Sequence, residues 1–236
     1  MQTVYLIPAI LQEDGIQTIH PSILETIKDC QVFFVENERT TRRYFKQLWK
    51  FYSPGTDIII DNYEWISMDS ENAHELFRQR LKEKKNIGIV SEAGCPGVAD
   101  PGQEFVGIAQ QVGIKVKPLV GPSSVLLALM ASGMNGQQFK FNGYLPIDHT
   151  QRIKAIKELE SESSNKNCTE IFIETPYRNN QLIETILKAC RETTLLCLAA
   201  DITGTNEWIK TKTIKEWKKE KPDLHKRPVI FLLQSG

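Results

Sequence analysis

The sequence predicts an α/β protein of two domains, a largely parallel N-terminal sheet followed by a smaller mixed α/β C-terminal domain. Three observations carry that expectation. In the first half of the chain, short apolar runs alternate with longer helical patterns, which is how parallel strands joined by crossover helices read. A break rich in glycine and amides, SGMNGQQ at 132–138, then interrupts the alternation. Beyond it the pattern loosens, and an apolar run at 229–233 (VIFLL) reads as a closing buried strand. The domains are accordingly placed at 1–134 and 139–236.

Each element has a local reason. Residues 4–7 (VYLI) form a strand apolar enough to be covered on both faces. A helix over 21–28 has Pro21 in its first turn, where a missing N–H costs nothing. A second strand covers 32–35 (VFFV), and a helix over 40–51 puts Tyr44, Leu48 and Phe51 on one side. The three isoleucines of 58–60 read as a third strand. A helix over 72–84, capped by Ser70, carries the stripe Leu76, Phe77 and Leu81. Strand, helix, strand and helix follow at 87–90, 105–112, 116–119 and 123–131. In the second domain strands are expected at 139–144, 171–174, 195–200, 208–213 and 229–233. Helices are expected at 152–160, 180–190 and 214–219, and the polar stretch 161–167 (SESSNKN) as a loop.

Composition excludes several classes. Apolar residues are 41% and charged residues 25%, an ordinary folded balance that argues against disorder. Lys plus Arg equals Asp plus Glu at 29 each, which argues against polyanion binding over the whole surface. The charges divide unevenly: 13 basic against 16 acidic over 1–136, and 16 against 13 over 137–236. Arg39, Arg43, Lys46 and Lys50 share one helix face, and Lys210, Lys212, Lys215, Lys218, Lys219 and Lys221 crowd one stretch. A solvated face gives the same pattern, so each cluster leaves both readings open. Five cysteines without CxxC spacing and four scattered histidines imply no metal site and no disulfide framework, but free thiols in a reducing cytoplasm. No apolar run approaches the ~18 residues of a membrane span. The opening MQTVYLIPAI has no basic segment, so neither a membrane anchor nor a signal peptide is expected.

Two loops carry the functional signal. In IGIVSEAGCPGVADPG (87–102) a buried strand ends at Ser91 and runs into small residues, with Gly94, Gly97, Pro96 and Pro101, before a helix. Ligands of open parallel sheets sit at such carboxyl ends, and small residues let backbone come close to them. In LVGPSSVLLALMAS (119–132) a strand turns at Gly121–Pro122 and places Ser123 and Ser124 at a helix start, where free N–H groups can hold an anion or simply be capped. Neither loop is a GxxxxGK[ST] or GxGxxG motif, so a P-loop nucleotidase and a Rossmann dehydrogenase are unsupported.

SEAGCPGVADPG, PLVGPSSVLLALMASG and FNGYLP together resemble the tetrapyrrole methylase superfamily, S-adenosylmethionine-dependent methyltransferases of two α/β domains with the cofactor in the cleft between them. The most similar branch is the 16S ribosomal RNA ribose 2′-O-methyltransferase I family. The similarity extends through VENERTTRRYF (35–45) and IETPYRNNQLIETI (173–186). It departs from that branch at PAILQEDG (8–15), where the branch has Pro-Ile-Gly-Asn-Leu, at Asn37, at DNYE (61–64), at Cys95 in place of Thr and at Tyr177 in place of His. The resemblance implies S-adenosyl-L-methionine as cofactor, held by Pro8, Ala93, Gly94, Cys95, Val98, Ala99, Ser123 and Ser124. It also implies ribosomal RNA as a partner and a homodimer, whose interface Phe45, Trp49 and Trp65 could line. Arg39, Arg43, Lys46 and Arg178 are the candidates to hold an anionic substrate. A hydroxyl acceptor benefits from a base, and Glu36, Glu38 and Glu92 stand near strand ends, none singled out. A small tetrapyrrole-like acceptor and a non-catalytic S-adenosylmethionine-binding module remain as alternatives.

Overall fold

Strands that are apolar at consecutive positions need cover on both faces, and the fold supplies it. The computed structural model describes residues 2–236, and the chain divides into two compact units, Met1–Ser123 and Ser124–Gly236. In the first, β1 (Thr3–Ile7), β2 (Val32–Val35), β3 (Glu64–Ser67), β4 (Ile87–Val90) and β5 (Lys115–Pro118) form one sheet of order β3-β2-β4-β1-β5. Every pairing is parallel. Helices α1 (Ile23–Asp29) and α2 (Glu38–Tyr52) cover one face, where Ile7, Phe33 and Val35 share a core with Leu24, Phe45 and Leu48. Helices α3 (Ala73–Lys82) and α4 (Gly102–Gln111) cover the other, where Val32, Phe34 and Ile89 share a core with Phe77, Leu81 and Phe105. Alternate residues of β2 therefore serve opposite cores. Phe33 meets Phe45 edge-on with ring centres 5.1 Å apart, and Phe34 meets Phe77 in the same way at 5.0 Å.

This arrangement fixes where a ligand can sit. The chain leaving β1 or β2 turns to the α1–α2 face, while the chain leaving β4 turns to the α3–α4 face. Neighbouring strands whose exits diverge leave a crevice at their carboxyl ends. Since β4 lies between β2 and β1, its exit is the middle of that crevice.

The second unit holds α5 (Ser124–Ser132), β6 (Phe139–Tyr144), α6 (His149–Lys166), β7 (Thr169–Ile173), α7 (Asn179–Ala189), β8 (Leu195–Ala200), β9 (Trp208–Thr213), α8 (Ile214–Glu220) and β10 (Val229–Gln234). Its sheet has the order β6-β7-β10-β8-β9, parallel at β6–β7 and antiparallel elsewhere. The run VIFLL is fully apolar because β10 is the central strand. Ile156, Leu182, Ile186 and Trp217 from α6, α7 and α8 cover one face. Helix α5 groups with this unit rather than the first, so the division falls before the 132–138 break read from sequence. The Thr211 hydroxyl donates to the Ser132 carbonyl at 2.7 Å, tying the end of α5 to β9.

Several expected elements differ. The third strand is Glu64–Ser67, not 58–60. Ile59 is 65% exposed and Ile60 opens a 3-10 turn, whereas Trp65 and Ile66 reach opposite cores. That alternation outweighs the β-propensity of three isoleucines in a row. The stretch 161–167 is not a loop: α6 runs to Lys166 and ends at Asn167 in a left-handed conformation (φ 49°). Its inward residue there is Ser163, fully buried and donating to the Cys168 carbonyl at 2.7 Å, while Glu162 pairs outward with Lys166 and Lys140. A helix whose buried position is a serine reads as polar throughout. Helix α3 follows Asn72, and the Ser70 hydroxyl donates to the Ser67 carbonyl instead of capping it. Phe45 and Trp49 are buried in the α1–α2 core and so line no subunit interface, while Trp65 stacks on Phe33 and is half-buried.

Candidate functional site

The exit of β4 is built of residues that let backbone approach. Gly94 forms a two-way hydrogen-bonded bridge with Ala9, N–H to O at 2.8 and 3.1 Å, tying the β4 exit to the β1 exit. Gly94, Gly97 and Ala99 take positive φ, at 74°, 84° and 60°. A Cβ on Gly97 would meet nothing within 4 Å, so space lies open there. Asp100 pins the loop by accepting from Gly97 N at 2.9 Å and Gly102 N at 2.7 Å. Its other oxygen is buried without a hydrogen bond, and burial raises the carboxyl against the two N–H groups that lower it.

The β5 exit joins the same construction. The Cys95 thiol reaches the carbonyls of Gly121 and Pro122 at 3.6 and 3.4 Å, and burial, with Asp100 nearby, pushes that thiol up. Gly121 lies so close to Pro8 that a Cβ there would stand 2.1 Å from the Pro8 Cβ. Ala93, Val98 and Ala99 are exposed. Ser123 ends the first unit and Ser124 opens α5 in the second.

On the α2 side lies a groove of about 540 Å³ lined by the β1 exit, α2 and Ser91, Glu92 and Ala93 of the β4 exit. Arg43, Lys46 and Lys50 line it, with Glu13 and Glu92 as its acidic residues. The groove walls are held together. Buried Tyr44 donates its hydroxyl to the Pro8 carbonyl at 2.7 Å, and Gln47 donates to the Glu13 carbonyl at 2.9 Å. Arg43 pairs with Glu13 at 2.8 Å, but both side chains are mostly exposed, so the pair is worth less than about 1 kcal/mol and yields readily to a better anion.

Carboxylates gather where the groove meets the β4 exit. Glu36, just past β2, accepts the Glu92 backbone N–H at 2.8 Å. Burial pushes the Glu36 carboxyl up, and Asp100, Glu92 and Asp69 push the same way, against that hydrogen bond. Thr40, on the first turn of α2, donates its hydroxyl to Glu92 Oε1 at 2.5 Å. Asn37 starts α2 by accepting from Thr40 N at 3.2 Å.

The remaining expected residues are placed as follows. Arg39 and Glu38 line a neighbouring recess with Arg42, Arg43 and Lys46, and Glu38 is paired with Arg42 at 2.7 Å. Arg178 lies in the second unit, its guanidinium on the buried Glu174 carboxylate at 2.6 and 3.0 Å. In the second lysine cluster, Lys212 pairs with Glu220 and Lys218 with Glu192. Sequence reasoning missed Thr40, Asp100 and the hydroxyl of Tyr44. Asp100 had a signal, an Asp-Pro-Gly turn before a helix; Tyr44 was counted only as a core residue. Among the described residues, no group of three or more His, Cys, Asp or Glu is placed to hold a metal ion.

The profile of the Tetrapyrrole (Corrin/Porphyrin) Methylases matches residues 21–218. The chain belongs to this family. Over 169 residues this tetrapyrrole methylase is 33% identical to Ribosomal RNA small subunit methyltransferase I of Haemophilus influenzae, covering 70% of the chain and 58% of the relative. For that relative and those of Escherichia coli O157:H7 and Buchnera aphidicola, the chain spans 58%, 56% and 66% of their length. Among solved structures, uroporphyrin-III-C-methyltransferase from Thermus thermophilus superposes with a TM-score of 0.61 at 15% identity, over 99% of the chain and 94% of that structure. A Thermus thermophilus structure of that enzyme complexed with S-adenyl homocysteine superposes at 0.57 and 12% identity, over 100% and 98%. The fold of this methylase family member is therefore the one expected, a parallel sheet followed by a mixed one.

Proposed function

We propose that this chain transfers a methyl group from S-adenosyl-L-methionine to a ribose 2′-hydroxyl of ribosomal RNA. The observation that carries the reading is the groove lined by basic Arg43, Lys46 and Lys50 and by Glu92 and Ala93, the last two at the start of the small-residue loop at the β4 exit. The name of the relatives, Ribosomal RNA small subunit methyltransferase I, and the S-adenyl homocysteine complex of the Thermus thermophilus structure support it.

The β4 exit fits the cofactor on its own chemistry. Pro8, Ala93, Gly94, Cys95, Val98 and Ala99 offer backbone groups and small side chains, open space stands over Gly97, and Asp100 keeps an unpaired buried oxygen. Ser123 and Ser124 supply further polar groups at the start of α5. When bound, the cofactor supplies an already activated methyl on a cationic sulfur. The chain's part is alignment: the Ala9–Gly94 bridge and the Asp100 clamp hold the loop, and the basic groove holds RNA phosphates so that one hydroxyl rests at the β4 exit. Arg39 extends the basic face into the neighbouring recess. The reading includes a homodimer in the cytoplasm.

Salt dependence tests the groove. Three phosphate contacts on single-stranded RNA give a slope of log affinity against log salt of roughly −2, since each contributes about −0.7. Replacing Arg43 and Lys46 together by Ala makes the slope shallower by about 1.4 and leaves S-adenosylhomocysteine affinity unchanged. Wild-type protein with no salt-dependent RNA binding rejects the groove as an RNA site. Light scattering at micromolar concentration checks the dimer, which requires twice the chain mass of 26.9 kDa.

A further inference from the structure

We infer that Glu92 is the base that takes the proton of the acceptor hydroxyl, with Thr40 as its positioning residue. The inference rests on the reading above and chooses among three carboxylates that sequence alone left equal.

Glu38 is excluded by place and partner: it lies in the neighbouring recess and is paired with Arg42. Glu36 does not line the groove, and one of its oxygens is committed to the Glu92 N–H. Glu92 lines the groove, next to Ala93 of the candidate cofactor loop, and it is exposed. It is also held twice. Glu36 fixes its backbone, and the Thr40 hydroxyl fixes Oε1 at 2.5 Å. Among the described residues its Oε2 carries no hydrogen bond, so one oxygen stays available. A carboxylate with a fixed backbone, one anchored oxygen and one free oxygen, in front of a donor loop, is the arrangement a proton acceptor needs.

The step balances without a further reagent. The acceptor oxygen forms its bond to the methyl carbon while the methyl–sulfur bond breaks, and sulfur keeps the electron pair. The acceptor proton passes to Glu92 Oε2 and from there to water. The products are the methyl ether, S-adenosylhomocysteine and a proton.

The charged residues that line the groove with Glu92 are Arg43, Lys46 and Lys50 on α2 and Glu13 on the β1 exit, and Glu36 past β2 accepts its backbone N–H. The Thr40 hydroxyl donates to Glu92 Oε1 and holds the carboxylate in one orientation.

The test uses Glu92→Gln, Glu92→Asp and Thr40→Val in the full chain. Turnover is measured across pH with tritiated S-adenosylmethionine and RNA, and S-adenosylhomocysteine and RNA affinities are measured by calorimetry and filter binding. Glu92→Gln is expected to lower kcat by about 10²-fold or more and to abolish the acid limb of the pH profile. Both affinities stay within about twofold, because general-base catalysis acts on turnover rather than on binding. Glu92→Asp keeps the limb, and Thr40→Val lowers kcat while KM and both affinities stay unchanged. A Glu92→Gln protein with unchanged kcat overturns the inference, as does one whose RNA or cofactor affinity falls in step with kcat. Wild-type protein that transfers no methyl to RNA overturns the underlying reading instead, and the base assignment with it.

Discussion

Gly121→Ala is the sharpest single perturbation of the candidate site. Gly121 does not take a positive φ, so alanine suits its backbone and the effect is steric alone. The added Cβ would stand 2.1 Å from the Pro8 Cβ and 2.4 Å from its Cγ. Ordinary contact begins at 3.4 Å, so the proline ring or the 121 backbone must give by more than an ångström. Neither is the loose end of a flexible side chain. Pro8 is anchored by Tyr44 on its carbonyl, and Gly121 by the Cys95 thiol on its own. Overpacking of this kind costs about 1–3 kcal/mol. Misplacing a binding loop by about 1 Å costs on the order of 10²-fold in turnover. Thermal melting should show a lower Tm, and calorimetry should show S-adenosylhomocysteine affinity reduced at least tenfold. Gly107→Ala is the control, since its Cβ meets nothing within 4 Å and it lies in α4, where alanine stabilises by roughly 0.5–1 kcal/mol. A Gly121→Ala protein with wild-type Tm and wild-type affinity refutes the packing argument and the place of the β1 and β5 exits in the cofactor site.

Three further outcomes follow. Phe33, fully buried between Phe45 and Trp65, should cost about 3–5 kcal/mol in urea unfolding when replaced by Ala. Maleimide should label Cys95 first in the native protein, because the other four thiols are buried and burial pushes Cys190, for one, up to about 12; denatured protein should take up label at all five. Glu162 is held at about 2 by Lys140 and Lys166, below its usual 4.5. Its folded pKa is depressed, so its contribution to stability is full above about 4.5 and lost as pH falls toward 2. Glu162→Gln should therefore differ from wild type at pH 6, and the gap should close through the acid range in pH-dependent urea melts.

The parallel sheet was legible because its strands are buried on both faces: VFFV at β2 cannot be read as anything exposed, and each of its residues is buried. The β4 loop was legible because two glycines and two prolines exceed what a turn requires. What escaped the sequence was tertiary. Three isoleucines outweighed EWIS as a strand, since nothing local shows that Trp65 will stack on Phe33. The last turns of α6 looked like loop because Ser163 buries its hydroxyl on a carbonyl beyond the helix end. Thr40 carried no local signal, because its partner Glu92 lies 52 residues away. Arg178 read as a free anion ligand because the burial of Glu174, four residues before it, depends on the second sheet.

Methyl transfer itself is the most direct measurement of the central claim. Purified chain is incubated with tritiated S-adenosylmethionine and total RNA from cells lacking the gene, and the labelled RNA is then hydrolysed in alkali. Alkaline cleavage needs a free 2′-hydroxyl, so methylation there leaves the tritium in alkali-resistant dinucleotides. The account predicts label in ribosomal RNA, recovered in such dinucleotides and much reduced when Arg43 and Lys46 are both Ala. Label that enters no RNA although S-adenosylhomocysteine binds contradicts it.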